Sequence, residues 1–209
     1  MIVKFDHLSY SCSEKEEKRV IEGFCNTGSY RVQFYEKIKN VKVKMNILQY
    51  PSEFHGLAML QPADKNEIVN IPVEITSYPE VKGDSPYNLK EGIIEFKTKN
   101  LRESRNFFQQ LGFREVENGI LSLKTILDKK IYNIRLVETN IDYSGYLDVN
   151  GFSSMACIVA KIEEYVKELK RREMTVTDLE QVFVNNRKLK VCFACGKYGE
   201  IVELIGVDR

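Results

Sequence analysis

Lys99–Phe113 reads KNLRESRNFFQQLGF, and this stretch decides the fold. Asn100 is a side-chain acceptor placed where a helix begins, with Glu103 three residues on, the spacing of a helix cap. Phe107, Phe108 and Leu111 fall on one helical face. Gly112 stops the helix, because glycine enters the left-handed conformation that closes a helix without a Cβ penalty. On the N-terminal side lies GIIEFKT (92–98), a strand. On the C-terminal side FREVENG (113–119), ILSLKTIL (120–127) and YNIRLVET (132–139) read as three more, with Glu-Asn-Gly as a hairpin turn. The local order is strand, helix, then three strands.

That order recurs on both sides, and a repeat of this kind outranks any single motif. Before it, IVKFDHLSYS (2–11) is a strand. A helix follows, opened by Ser13 and Glu16 and with Val20, Ile21 and Phe24 on one face, and Asn26–Ser29 ends it in a turn. YRVQFYEKI (30–38), FHGLAMLQ (54–61) and NIPVEITSY (70–78) are strands. Residues 39–53 read either as another strand or as a long excursion. After it, SSMACIVA (153–160) is a strand, and KIEEYVKELKRRE (161–173) is a helix with Ile162, Tyr165, Val166 and Leu169 on one face. QVFVNN, KLKVCFAC and GEIVELIGV (181–207) are strands, with a turn at Asn185 and Asn186. Each unit is a βαβββ module. Residues 78–92, rich in Pro, Gly, Asp and Ser, mark the boundary. The division is a first module at 1–82, a linker at 83–90 and a tandem pair of modules at 91–209.

Composition narrows the function classes. The chain has 209 residues, 43% apolar and 29% charged, with a formal net charge of +1. That is a globular profile with no electrostatic bias toward nucleic acid or an acidic membrane. The longest apolar runs fall far short of the roughly 18 residues a membrane helix needs. MIVKFDHLSY reads as a first strand and not as a signal peptide, so the expectation is a cytoplasmic protein. Five scattered cysteines make no disulfide framework. The one CxxC, Cys192 and Cys195, reads as strand thiols. Lys170–Arg172 closes a helix, where cations complement the helix dipole.

KNLRESRNFFQQLGF, a polar turn and an amphipathic helix with paired aromatics ending in LGF, and GKYGEIVELIGV (196–207) as a closing turn and apolar-Glu-Leu strand, resemble the glyoxalase / bleomycin-resistance (vicinal oxygen chelate) superfamily. DHLSYS and IPVEITSY fit the same pattern in the first module. The resemblance covers nearly the whole chain. It implies an α+β fold of three βαβββ modules forming cup-shaped mixed sheets, with helices on the convex face and a small-molecule ligand in the cup. In metal-dependent members each module offers a His from its first strand and a Glu from its last. A divalent ion, Zn, Ni, Fe, Co or Mn, then binds between two modules.

Carried over by residue, the first module supplies His7 and Glu74, the expected metal ligands. The second offers Ile93 and Arg135, which are not ligands. The third offers Ser154 and Glu203. By strand alternation Phe5, His7 and Ser9 face the cup, as do Ile201, Glu203 and Ile205. His55 is a candidate third ligand, general base or substrate contact, and His55 and Glu203 are the candidate catalytic residues. Modules 2 and 3 are expected to share a cup holding Glu95, Lys97, Arg135 and Glu203, so Glu95, Arg135 and Ser154 are candidate pocket residues. Module 1 then pairs either with module 1 of a second chain in a homodimer, uniting two His7 and two Glu74, or with another module of its own chain. The functions in play are a metal-assisted isomerase, lyase, epimerase or dioxygenase, a metal-free binding or resistance protein, and a scaffold with vestigial sites.

Overall fold

Local chemistry sets the helices where the sequence places them. The computed structural model describes residues 1–26, 28–63, 71–90, 92–143 and 145–207. Thr27, Asn70, Glu91 and Ser144, in segments discussed above, lie outside them. Helix α1 (Glu17–Asn26) follows strand β1 (Ile2–Ser13). Ser13 and Glu16 do meet, the Ser13 hydroxyl donating to the Glu16 carboxylate at 3.0 Å. Helix α3 (Leu101–Gln110) is capped by Asn100, whose side chain accepts from the Glu103 N–H at 3.1 Å. Gly112 has φ +105°, as a helix stop requires. Helix α4 (Ile162–Arg171) buries Ile162, Val166 and Leu169.

Module 1 continues with β2 (Tyr30–Lys39), the single turn α2 (Lys42–Met45), β3 (Phe54–Pro62) and β4 (Val73–Tyr78). Module 2 is β6 (Ile93–Thr98), α3, β7 (Arg114–Glu117), β8 (Ile120–Lys124) and β9 (Ile131–Glu138). Module 3 is β10 (Gly151–Val159), α4, β11 (Glu180–Val184), β12 (Arg187–Cys195) and β13 (Ile201–Val207). Within each module the first strand pairs in parallel with the last: β1 with β4, β6 with β9, β10 with β13. The spatial orders are therefore β2-β3-β4-β1, β7-β8-β9-β6 and β11-β12-β13-β10, the same unit three times.

The modules join differently from the tandem expectation. β1 pairs antiparallel with β10, so module 1 finds its partner in module 3 of its own chain. Of the two pairings open to module 1, the one within its own chain is seen, and the edge of β1 is taken by β10. Module 2 is attached through β5 (Tyr87–Lys90), which pairs with β6 and meets β10 at Tyr87–Phe152. Residues assigned to the linker thus form a strand in a continuous curled sheet of 13 strands.

The helices cover the convex side. Val20, Ile21 and Phe24 of α1 pack on Ala58, Leu60, Val73 and Ile75. α3 and α4 share a core spanning all three modules, from Phe5 and Leu8 through Phe96, Phe108 and Ile134 to Leu204. On the concave side the arms of modules 1 and 3 curl toward each other. Phe34, Ile38, Leu57 and Met59 meet Val182 and Val184, and the Asn185 N–H donates to Glu36 at 2.8 Å. Asn185 and Asn186 have φ of 48° and 59°, the left-handed pair of a tight hairpin turn. Residues 40–53 form the excursion: Val43 N–H donates to Glu180, and Gln49 and Tyr50 N–H donate to Asp148, strapping this segment over module 3. Among the described residues, no helix is long and apolar enough to cross a membrane.

Candidate metal and ligand site

The site sits on the concave face at the β1–β10 seam. Ser9 is in register with Glu74 across β1·β4, and Ala156 with Glu203 across β10·β13. His7 lies two residues before Ser9, and Ser154 two before Ala156. A pseudo-two-fold axis through the seam therefore relates His7 to Ser154 and Glu74 to Glu203. Module 2 obeys the same register, with Glu95 beside Arg135 and Ile93 two residues earlier.

His7, Glu74 and Glu203 converge. His7 is 2% exposed, and its Nε2 lies 3.4 Å from Glu74 and 3.9 Å from Glu203. Nε2 makes no hydrogen bond. Nδ1 lies 3.2 Å from the Asp6 carboxylate, which orients the ring. The Thr76 hydroxyl donates to Glu74 at 3.1 Å and holds that carboxylate. Ser154 is buried at the seam. Among the described residues, no three His, Cys, Asp or Glu side chains are drawn in tightly enough to hold an ion as they stand. Of the two carboxylates, Glu203 lies farther from His7.

Charge follows from this crowding. Burial opposes the His7 imidazolium, but Glu74, Asp6 and Glu203 outweigh it and raise the ring to about 9. Burial also works against the Asp6 carboxylate, yet His7 and Lys4 hold it well below the usual range. Burial and then the neighbouring Glu74 push Glu203 up, with His7 and Lys44 pulling the other way.

Two expected placements are corrected. Phe5 does not face the cup: a bulge between Phe5 and His7 breaks the alternation, and Phe5 stacks on Tyr132 of module 2, centroids 4.6 Å apart. Glu95 and Arg135 do not share a cup with Glu203. They pair with each other on module 2 at 3.4 Å, while Glu203 turns toward module 1. Ile201, Glu203 and Ile205 do lie opposite Val202 and Leu204, which pack in the shared core.

His55 is 2% exposed at the other end of the cleft. It stacks on Tyr78, and its Nε2 lies 3.1 Å from Lys44 Nζ. Burial, then Lys44, lowers its pKa well below 6.5 and keeps the ring neutral. Lys44 escaped the reading of the sequence; only the strap brings it in, and a lysine in an unassigned segment carries no pattern. Two cavities flank the apolar contact of Val182 and Val184. One of about 270 Å³ covers His7, Glu74 and Glu203, with Phe34, Met59 and Ile205 as walls. The other, about 40 Å³, is bounded by Asn40, Lys44, His55, Glu74 and Glu203. A larger open groove of about 840 Å³ lies between module 2 and α4; its lining has no His, Cys or carboxylate side chain, so it lacks this chemistry.

No family model matches the sequence, and no curated protein does. Solved structures resemble it. Methylmalonyl-CoA epimerase from Mycobacterium tuberculosis matches 100% of this chain and 91% of its own, at 9% identity and a TM-score of 0.49. A methylmalonyl-CoA epimerase variant from Streptomyces coelicolor matches 100% of both chains at 10% identity and 0.45. A "putative dioxygenase" from Bacillus subtilis matches all of this chain, which spans 64% of that protein, at 10% identity and 0.42. Such distant likenesses decide nothing about chemistry. The threefold βαβββ order, the parallel closure of each module and the antiparallel seam between the first strands of modules 1 and 3 define the chain's architecture. That topology is consistent with the vicinal oxygen chelate fold that the sequence resemblance implies, and its cup is built from modules 1 and 3.

Proposed function

We propose that the cleft between modules 1 and 3 holds a divalent metal at His7, Glu74 and Glu203 and acts on a small oxygenated molecule, as an isomerase, lyase, epimerase or dioxygenase. One observation carries this reading: a fully buried imidazole nitrogen, without a hydrogen bond, faces two carboxylates while its other nitrogen is held by a third. Buried polar atoms rarely stay unpaired without a role. Imidazole and carboxylate together suit Zn, Ni, Fe, Co or Mn. The three donor types suit such an ion, which would have to draw them closer than they stand, and Ser154, too short to ligate as His7 does, stands at the fourth position.

A bound ion supplies polarisation of a substrate oxygen. The chain does the rest. Asp6 fixes the His7 tautomer, and Thr76 fixes Glu74. Glu203 has the most exposed side chain of the three, at 17%, and faces the larger cavity. That exposure makes it the carboxylate of the three placed to exchange a proton with a carbon or oxygen of the substrate.

A second reading is favoured by the raised His7: a proton, not a metal, satisfies the pair, and the cleft binds a small molecule without chemistry. Metal analysis of protein purified without a His tag separates the two. About one ion per chain, lost in Glu74→Ala, supports the metal reading. No uptake of Zn(II), Ni(II), Co(II) or Mn(II) at any loading, with the fold intact, refutes it.

A further inference from the structure

We infer that Lys44, His55 and Asn40 form an oxygen-binding subsite for a substrate hydroxyl, in which His55 acts as an N–H donor and not as a ligand or a base. The inference rests on reading the cleft as a small-molecule site, and it names the substrate class as a hydroxylated one.

The tautomer follows from donor chemistry. A lysine ammonium has only hydrogens to give, so its 3.1 Å contact makes His55 Nε2 the acceptor. The ring proton then sits on Nδ1. That atom has no partner, although the side chain is only 2% exposed. Asn40 presents the complementary case. Its Nδ2 donates to Ser52 O at 2.9 Å and Ser52 Oγ at 3.3 Å, which leaves Oδ1 as the free acceptor. Asn40 is 4% exposed, and Oδ1 has no partner either.

The two side chains are neighbours by register. Ile38 pairs with His55, and the Asn40 N–H donates to Glu53 O, so Asn40 lies one diagonal step from His55 on the same face. Both line the cavity of about 40 Å³ that also reaches Glu74 and Glu203. The space is narrow but large enough for an oxygen-sized group. A hydroxyl satisfies both atoms at once, accepting from Nδ1–H and donating to Asn40 Oδ1. A carboxylate answers the donor and leaves Asn40 unpaired. The larger cavity shares Glu74 and Glu203 with this chamber, so a molecule resting there lies beside it. Where a substrate lacks the group, a fixed water fills the place.

The test uses the ¹⁵N-labelled full chain with glycolate and acetate as probes, which differ by one hydroxyl. Each is titrated without metal and again with Zn(II). The expected resting state is a neutral His55 with its proton on Nδ1, and in Lys44→Met a shift toward the Nε2 tautomer. Glycolate is expected to move the Nδ1 signal with about tenfold higher affinity than acetate, roughly one hydrogen bond. That preference should vanish in Asn40→Leu. A proton on Nε2 in the wild type, or equal responses to the two probes, overturns the inference. Failure of Zn(II) to bind while the glycolate preference persists removes only the metal reading. Zn(II) binding without any glycolate preference removes only this one.

Discussion

Replacing Glu203 with glutamine should move metal affinity and metal-free stability in opposite directions. Glutamine keeps the shape and removes the charge. Burial and the adjacent Glu74 raise the Glu203 carboxyl above its ordinary value. A carboxyl raised by folding binds its proton more readily in the native state than in the unfolded one. Above the folded pKa the native state therefore carries a penalty, which disappears as pH falls below the unfolded value, near 4.5. Each tenfold in that preference is about 1.4 kcal/mol. The variant loses some attraction to His7, but at 3.9 Å and without a hydrogen bond this is the smaller effect. The metal-free variant should gain stability at pH 7.5, read as a rise in Tm. At pH 4 the gain should vanish. Affinity should fall: a four-ligand zinc site is worth about 10–16 kcal/mol, so one ligand is about 3 kcal/mol, or roughly 150-fold. Chelator competition for Zn(II) and urea denaturation of the metal-free protein read the two quantities. A variant that binds Zn(II) as tightly as the wild type and is less stable at pH 7.5 would refute the reasoning, because Glu203 would then be a structural counter-charge for His7.

Ser154→His restores an imidazole at the position related to His7 by the pseudo-two-fold, and calorimetry should show Zn(II) or Ni(II) binding tightened by tenfold or more, against an overpacking loss of about 1–3 kcal/mol. Unchanged affinity in a folded variant counts against the fourth position. His55 is held neutral, so below pH 6.5 the unfolded chain takes up a proton that the native chain refuses, and stability should fall by at most about 1.4 kcal/mol per pH unit. His55→Phe should flatten that limb of the urea profile between pH 6.5 and 5, and an unaltered slope argues against a neutral native ring. A Cβ at Gly206 would come within 2.5 Å of Ile162 Cγ2 and 2.9 Å of its Cβ, so Gly206→Ala should lift the start of α4 and cost about 1–3 kcal/mol. An unchanged Tm would show that α4 is not seated there.

The modules were legible because their signals are local. The Asn100 cap, the left-handed Gly112, the Asn185-Asn186 turn and the buried face of α4 all depend on residues a few positions apart. The adjacency of His7 and Glu74 follows from strand order inside one module, and the 3.4 Å contact is its outcome. What pairs with what between modules was not legible. Three similar edges were available to β1, and the choice of β10 depends on surfaces far apart in the chain. The same choice decides that Glu203, and not a second Glu74, completes the trio. The Phe5 bulge escaped for another reason: alternation assumes a regular strand, and an extra residue reverses the face of everything before it. Lys44 lies in a segment whose path is set by Asp148 and Glu180, contacts that no periodicity announces.

The presence of a third module acquires a physical role once the seam is located. His7 and Glu203 come from opposite ends of the chain, so the site exists only if β1 and β10 hold their register. Backbone pairing alone is weak insurance, because β1·β10 carries three register shifts. Module 2 supplies the missing restraint from beneath. Tyr132 stacks on Phe5 next to the bulge that turns His7 inward. Tyr87, on the strand entering module 2, pairs with Phe152 of β10, and its hydroxyl accepts from and donates to the backbone of Ile201 at 3.2 and 3.1 Å. Ser104 of α3 bonds the buried Glu200 just before β13. Each contact grips a strand that carries a site residue. Meanwhile the positions of module 2 that would hold ligands are Ile93 and Arg135, the latter engaged with Glu95. A module with its ligand positions closed and its helix face locked onto both sides of the seam acts as a brace, and a brace explains why a two-module site is carried on three.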